Sequence, residues 1–336
     1  MKAVVCERPG VLELAERSAP ARRPGELLLR IRRIGLCGTD YHIVAGNQPY
    51  LAYPRVMGHE LAGDVAEADP DSALRPGDRV TVNPYLPCGT CIACRKGKPN
   101  CCVSVSVLGV HADGGMCELL AVPEAAAIPV GDLDLDQAAM VEFLSVGAHA
   151  VRRGETKAGD RVLVVGAGPI GVAVALFARR AGAEVTIADT SAARLAYARD
   201  AILLPDTILV DDGIDAALDA RTDGEFFDLV FDATGNARAM EKGFAWVAHG
   251  GSYVLVSVVK QDITFADPEF HKREMRLIGS RNATHEDFRA VIEAIRAGDI
   301  PTQAIRTHAF PLAEAPARVP ELIANQGAVL KAIVTV

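Results

Sequence analysis

The run Gly166-Ala167-Gly168-Pro169-Ile170-Gly171 constrains this chain more than any other feature. It follows a short apolar stretch at 162–165 and opens a segment of helical texture at 169–180. In that setting the glycines permit a tight turn, close backbone approach to a pyrophosphate and close helix–strand packing, and helix N-terminal N–H groups meet the phosphates. A bare G-x-G-x-x-G is a weak signal; the flanking strand and helix give it meaning. The plain alternative is a glycine-rich packing turn followed by an ordinary N-capping acid. Asp189 ends the next strand, 23 residues after Gly166 (189 − 166). A carboxylate there accepts hydrogen bonds from an adenosine ribose and repels a 2′-phosphate, so NAD is expected rather than NADP. Arg194 pulls the other way, because it could reach the ribose edge. Thr234, in Asp232-Ala233-Thr234-Gly235, adds a further wall after a later strand.

The same stretch, 162–178, is the most apolar of the chain, but its glycines and proline and the flanking Arg161 and Arg179 favour a buried strand, turn and helix over a membrane span. Strands expected at 162–165, 184–188, 207–210, 227–231 and 252–257 alternate with helices at 169–180, 191–200, 214–220 and 237–247. That alternation predicts a parallel, doubly wound sheet. The first third reads differently, as strands at 1–5, 11–14, 26–34, 60–66, 79–82 and 116–122 broken by glycine and proline. No long helical pattern precedes about Asp136. After 276–279 come helices at 286–297 and 312–325 and a closing strand at 328–334, read as a return to the first domain. The expected α/β organisation is a mostly β domain at 1–143 and 279–336, carrying a cysteine lobe at 84–104, interrupted by a parallel-sheet domain at 144–278. A chain of 336 residues accommodates two cores.

The net charge of −8 argues against nucleic acid as the main partner. Residues 1–7 lack the apolar core of a signal peptide, so a cytoplasmic location and no membrane partner are expected. In a reducing compartment the eight cysteines are thiols or metal ligands rather than disulfides.

Cys88, Cys91 and Cys94 stand at three-residue spacing, with Cys102 eight beyond Cys94 (102 − 94). Four thiolates on one short loop match a closed, structural zinc site, which would organise a loop too poor in apolar residues to fold alone. Cys101 competes with Cys102 for the fourth place, and spacing does not choose. A second set is scattered: Cys37 in Cys37-Gly38-Thr39-Asp40-Tyr41-His42, then Gly58-His59-Glu60, then Glu142 in an apolar surrounding. Alone, each reads as packing or as a satisfied polar residue. Burying the Glu142 charge would cost several kcal/mol unless a cation or a proton compensates.

In order along nearly the whole chain these motifs resemble the zinc-containing medium-chain dehydrogenases/reductases. The resemblance implies a GroES-like, mostly β catalytic domain interrupted by a Rossmann domain, and two zinc ions per subunit. It selects Cys102 over Cys101. It implies Cys37 and His59 as catalytic zinc ligands, completed by Glu60 and Glu142, one of them through water. Typical alcohol dehydrogenases carry cysteine at the position of Glu142; glutamate there is similar to the sorbitol, threonine and polyol enzymes. Those usually follow it with proline, whereas this chain has Phe143. Thr39 and His42 occupy the positions of a proton relay; a turn hydroxyl and a surface histidine are the plain readings. The runs 53–60, 97–100, 108–115 and 280–282 are similar to the bacterial sugar-acid branch, which includes L-galactonate and L-gulonate 5-dehydrogenases. His111 and Arg281 are then candidates for a substrate carboxylate; alternatively, Arg281 holds the cofactor and His111 supports a loop. The expected function is NAD-dependent oxidation of a polyol or sugar acid in a homodimer or homotetramer, with the apolar strand at 251–259 compatible with pairing at a sheet edge. Threonine or simple secondary-alcohol oxidation is the rival within this chemistry. A non-catalytic NAD-binding regulatory protein is the rival outside it.

Overall fold

The computed structural model describes residues 1–48 and 51–336. The chain divides into two compact units, Met1–Phe143 with Thr284–Val336, and Leu144–Ala283.

In the first unit the strand Glu26–Leu36 is the spine. Its Leu27, Leu29, Ile31 and Ile34 are buried, so it sits inside a sheet with a neighbour on each side. Along the sheet the order is Ala127–Pro129, Arg79–Val82, Glu60–Glu67, Glu26–Leu36, Lys331–Thr335, Arg306–Pro311. Leu119–Pro123 also pairs with the spine. Pairings in this sheet are antiparallel except that of Arg306–Pro311 with Lys331–Thr335. The strand Arg306–Pro311 is absent from the sequence expectation, because its polar Arg306-Thr307-His308 opening hides it. The last strand starts at Lys331 rather than 328, since Gln326–Ala328 is a 3-10 turn. Helix Gly38–Val44 follows the spine directly, with Cys37 as its N-cap. A twenty-residue helix, Leu135–Gly154, carries Glu142.

The second unit is a six-stranded parallel sheet. Its order is Thr207–Leu209, Glu184–Asp189, Arg161–Val165, Phe227–Asp232, Val247–Leu255, Arg276–Gly279. Numbered within the unit this is 3-2-1-4-5-6, the doubly wound order whose switch point lies between the first and fourth strands. Strand Arg161–Val165 is buried at Val162 through Val165, as a central parallel strand must be. The helix expected at 237–247 stops at Gly243, where Phe244–Trp246 tighten into a 3-10 turn before the next strand. The expectation at 312–325 likewise divides into a 3-10 turn, Leu312–Glu314, and the helix Ala315–Ala324. The strand at 251–259 is not an edge: Val247–Leu255 is paired on both sides, and Arg276–Gly279 forms the edge instead. Among the described residues no helix is long and apolar enough to cross a membrane.

Candidate metal and dinucleotide sites

Helix Gly38–Val44 begins where the spine strand ends, and its N-terminus is closed by Asp40. The Asp40 carboxylate accepts from the Cys37 N–H at 3.0 Å and from the Gly58 N–H at 3.2 Å, and is fully buried. One side chain thereby ties the segment bearing Cys37 to the segment bearing His59. Gly58 is required at this junction: its φ of +90° suits glycine, and a Cβ would crowd Ile34 and the Met116 backbone. The donor atoms of Cys37, His59 and Glu60 lie within 4.8 Å of one another, with His59 and Glu60 buried. Nδ1 of His59 is buried without a hydrogen-bond partner and lies 3.8 Å from Asp40. Burial pulls the imidazole down, but Asp40, the Cys37 sulfur and Glu142 outweigh it and hold His59 well above its ordinary value. A thiol, an imidazole and a carboxylate whose donor atoms converge within 4.8 Å, with the other side of the imidazole turned toward Asp40, suit a divalent cation of zinc's ligand preference.

Glu142 is buried on the long helix, and its carboxylate accepts the hydroxyl proton of Tyr85. Burial raises it to about 7, with His59 pulling it down and Glu60 pushing it up. It stands outside the mutually close set of three. Glu60 is engaged elsewhere too. Lys331 donates to both of its oxygens, at 2.6 and 2.7 Å, and to the Leu36 carbonyl at 3.1 Å. Removing either charge of so deeply buried a pair strands the other, at about 3–5 kcal/mol. The Lys331 ammonium also lies 4.1 Å from the centre of the Phe143 ring, so the phenylalanine found where the resemblance implies proline covers a buried cation. Asp40, Tyr85 and Lys331 were missed by sequence reasoning.

Thr39 and His42 share one face of their short helix; His42 is exposed, with Nδ1 at 2.9 Å from Asn47 Oδ1. His111 accepts the Val107 N–H on Nδ1 at 3.1 Å, which ties it to its own loop. Arg281 is exposed in the second unit.

The lobe gathers Cys88, Cys91, Cys94 and Cys102 with all four sulfurs within 4.8 Å, while Cys101 is exposed and outside the group. A tetrahedral zinc with bonds of about 2.3 Å sets sulfurs about 3.8 Å apart; Cys91 and Cys94 stand at 3.5 Å. N–H groups of Thr90 and Cys91 lower the Cys88 thiol to about 6. No cysteine among the described residues is in a disulfide.

In the second unit, Gly168 caps the helix Pro169–Arg180, with Pro169 in its first turn and Ile170 and Gly171 following. A Cβ on Gly171 would overlap the Gly166 carbonyl oxygen, so helix and strand meet only if the residue is glycine. Asp189 ends the neighbouring strand: its oxygens accept from Ala167 N–H and Ser191 N–H, each at 2.7 Å. Arg194 Nη1 lies 4.0 Å from the same carboxylate. Across the switch point, Thr234 donates its hydroxyl to Asp232 at 2.9 Å, and Ser257 bonds both Asp232 and the Gly235 N–H.

Two family profiles match the chain, an alcohol dehydrogenase GroES-like domain over residues 23–132 and a zinc-binding dehydrogenase over 169–297. L-galactonate-5-dehydrogenase of Escherichia coli K12 is 40% identical over 336 residues, covering 100% of this chain and 99% of the relative. The chain belongs to the zinc-containing medium-chain dehydrogenases. D-altritol 5-dehydrogenase of Agrobacterium fabrum is 34% identical over 322 residues, 94% of each chain. Among solved structures, the alcohol dehydrogenase rspB of E. coli CFT073, complexed with cofactor NADH, superposes with a TM-score of 0.94 at 28% identity, covering 100% and 99%. As a member of this dehydrogenase family the protein is an oxidoreductase of a GroES-like unit and a Rossmann unit, with zinc and a nicotinamide dinucleotide as its cofactors.

Proposed function

We propose that this dehydrogenase oxidises a secondary hydroxyl of a polyol or sugar acid, of the L-galactonate or L-gulonate type, with NAD. The observation that carries the reading is the convergence of Cys37 with the buried His59 and Glu60, their donor atoms within 4.8 Å of one another, in a chain whose relatives include L-galactonate-5-dehydrogenase and D-altritol 5-dehydrogenase.

Cys37, His59 and Glu60 would hold the catalytic zinc, with Glu142 in reserve behind Tyr85, and Cys88, Cys91, Cys94 and Cys102 would hold the structural one. Zinc, when bound, supplies Lewis acidity that makes the substrate hydroxyl easier to deprotonate. Thr39 takes that proton and His42, exposed on the same helical face, returns it to water. NAD, when bound, would supply the hydride acceptor, so that alcohol and NAD become ketone, NADH and one proton. Gly166, Gly168, Pro169, Ile170 and Gly171 would cradle the pyrophosphate. Asp189 keeps lone pairs for the ribose hydroxyls after accepting two N–H groups, its charge disfavours a 2′-phosphate, and Arg194 and Thr234 complete the cofactor contacts. Arg281 and His111 are the candidates for the substrate carboxylate; the loop bond of His111 favours Arg281. We read the protein as a cytoplasmic homodimer or homotetramer, supported by the exposed Leu277 on the edge strand Arg276–Gly279.

The test is purified, zinc-loaded protein with NAD and a panel of aldonates, hexitols, threonine and butanediol, followed at the NADH absorbance. Turnover led by a sugar acid or polyol is expected. No turnover on any member would overturn the reading; a preference for threonine or butanediol would move it to the rival substrates.

A further inference from the structure

We infer that Lys331 is a positioning residue that restrains Glu60 and keeps the metal site of Cys37, His59 and Glu60 open to exchange. The inference rests on the zinc reading above and assigns a role to a residue outside the donor set.

The ammonium is 1% exposed and Glu60 is fully buried. All three of its N–H groups are committed, two to the Glu60 oxygens and one to the Leu36 carbonyl. Its fourth neighbour is the Phe143 ring. These contacts fall on three separate segments, each at or beside a donor: Leu36 precedes Cys37, Glu60 follows His59, and Phe143 follows Glu142. One side chain therefore fixes the spacing of all the segments that carry the site.

It also changes what Glu60 can do. Both carboxylate oxygens already accept a charged donor, and the lysine charge balances the glutamate. A dication at Cys37 and His59 competes with Lys331 for those oxygens, so Glu60 binds it weakly and leaves room for a substrate oxygen. Without the ammonium, Glu60 would be a buried anion with the dication as its remaining counter-charge, and it would close on the metal.

The test is zinc release from the holoenzyme to a chromophoric chelator, read in two phases, with the four-cysteine lobe as internal control. K331M is expected to slow release of the other zinc at least tenfold and to lower kcat at least tenfold, with the lobe phase and NAD affinity unchanged. In protein carrying cobalt(II) at that site, the visible spectrum should respond to imidazole in the native chain and lose that response in K331M. K331R, which keeps the charge, should restore both readouts to within about threefold. The double variant E60Q/K331M should match E60Q, because the carboxylate to be restrained is gone. Should K331M fail to fold, K331Q takes its place, since it removes the charge and keeps a donor. Unchanged or faster zinc release in the folded variant, with only a lower melting temperature, would show a merely structural lysine and overturn the inference. A native chain that holds zinc in the lobe alone would instead defeat the zinc reading, and the inference would fall with it.

Discussion

Asp40 accepts two backbone N–H groups from different segments, so replacing it with asparagine is a small change in shape and a large one in chemistry. The amide keeps one oxygen for one of the two donors, Cys37 N–H or Gly58 N–H. Toward the other it turns an NH2, placing donor against donor in a fully buried position. Losing one charge-assisted bond costs about 1.5–3 kcal/mol, and the stranded N–H adds about 1–3. The two overlap, so about 2–4 kcal/mol is expected from the first unit. For a unit of this size each kcal/mol moves the melting temperature by about 2–4 °C, giving a loss of about 5–15 °C by circular dichroism. Because Asp40 also aligns His59 with Cys37, zinc affinity at that pair should fall about tenfold to hundredfold. Metal analysis after dialysis against a weak chelator should then find the lobe zinc alone. Native melting with two zinc ions retained would refute the idea that Asp40 holds these segments together.

Cys102→Ser should lose the lobe zinc and melt earlier, whereas Cys101→Ser should change stability by less than about 0.5 kcal/mol; equal effects by metal analysis and calorimetry would mean the wrong cysteine was chosen. Asp189→Ala removes the ribose acceptor, so kcat/KM for NAD should fall about tenfold to hundredfold while that for NADP rises; an unchanged ratio sinks the cofactor assignment. Thr39→Val should lower kcat about hundredfold with zinc content and NAD affinity intact. Stopped-flow rates equal to the native enzyme would remove Thr39 from proton transfer.

Local patterns made half of this protein legible. The glycine turn, Asp189 and the lobe cysteines are close in sequence, and each motif carries its own geometry. The parallel sheet follows from strands and helices alternating at regular intervals. What escaped has a common cause in distance or in masking. Lys331 meets Glu60 across 271 positions, and Tyr85 meets Glu142 across 57; before folding, one reads as an exposed lysine and the other as a loop tyrosine. Asp40 was visible beside Cys37, but its capping role depends on Gly58 arriving from another strand. Helix Leu135–Gly154 was hard to place because it is buried at nearly every position from Ala138 to Val151, which erases the one-sided period that marks a surface helix. The edge of the parallel sheet was misplaced because burial on both faces looks the same for an inner strand as for an apolar edge.

The strand that begins at Lys331 has a consequence for the order of synthesis. The spine strand, Cys37, His59 and Glu60 leave the ribosome early, and the whole Rossmann unit is made before their partner strand. Until then the spine has an open edge where Lys331–Thr335 belongs, and Glu60 lacks its Lys331 counter-charge. The Rossmann unit, being continuous in sequence, can fold while the first unit waits. The candidate site of Cys37, His59 and Glu60 is therefore completed only after the Rossmann unit has been made, and a chain interrupted before Lys331 should bind NAD yet hold zinc only in its lobe.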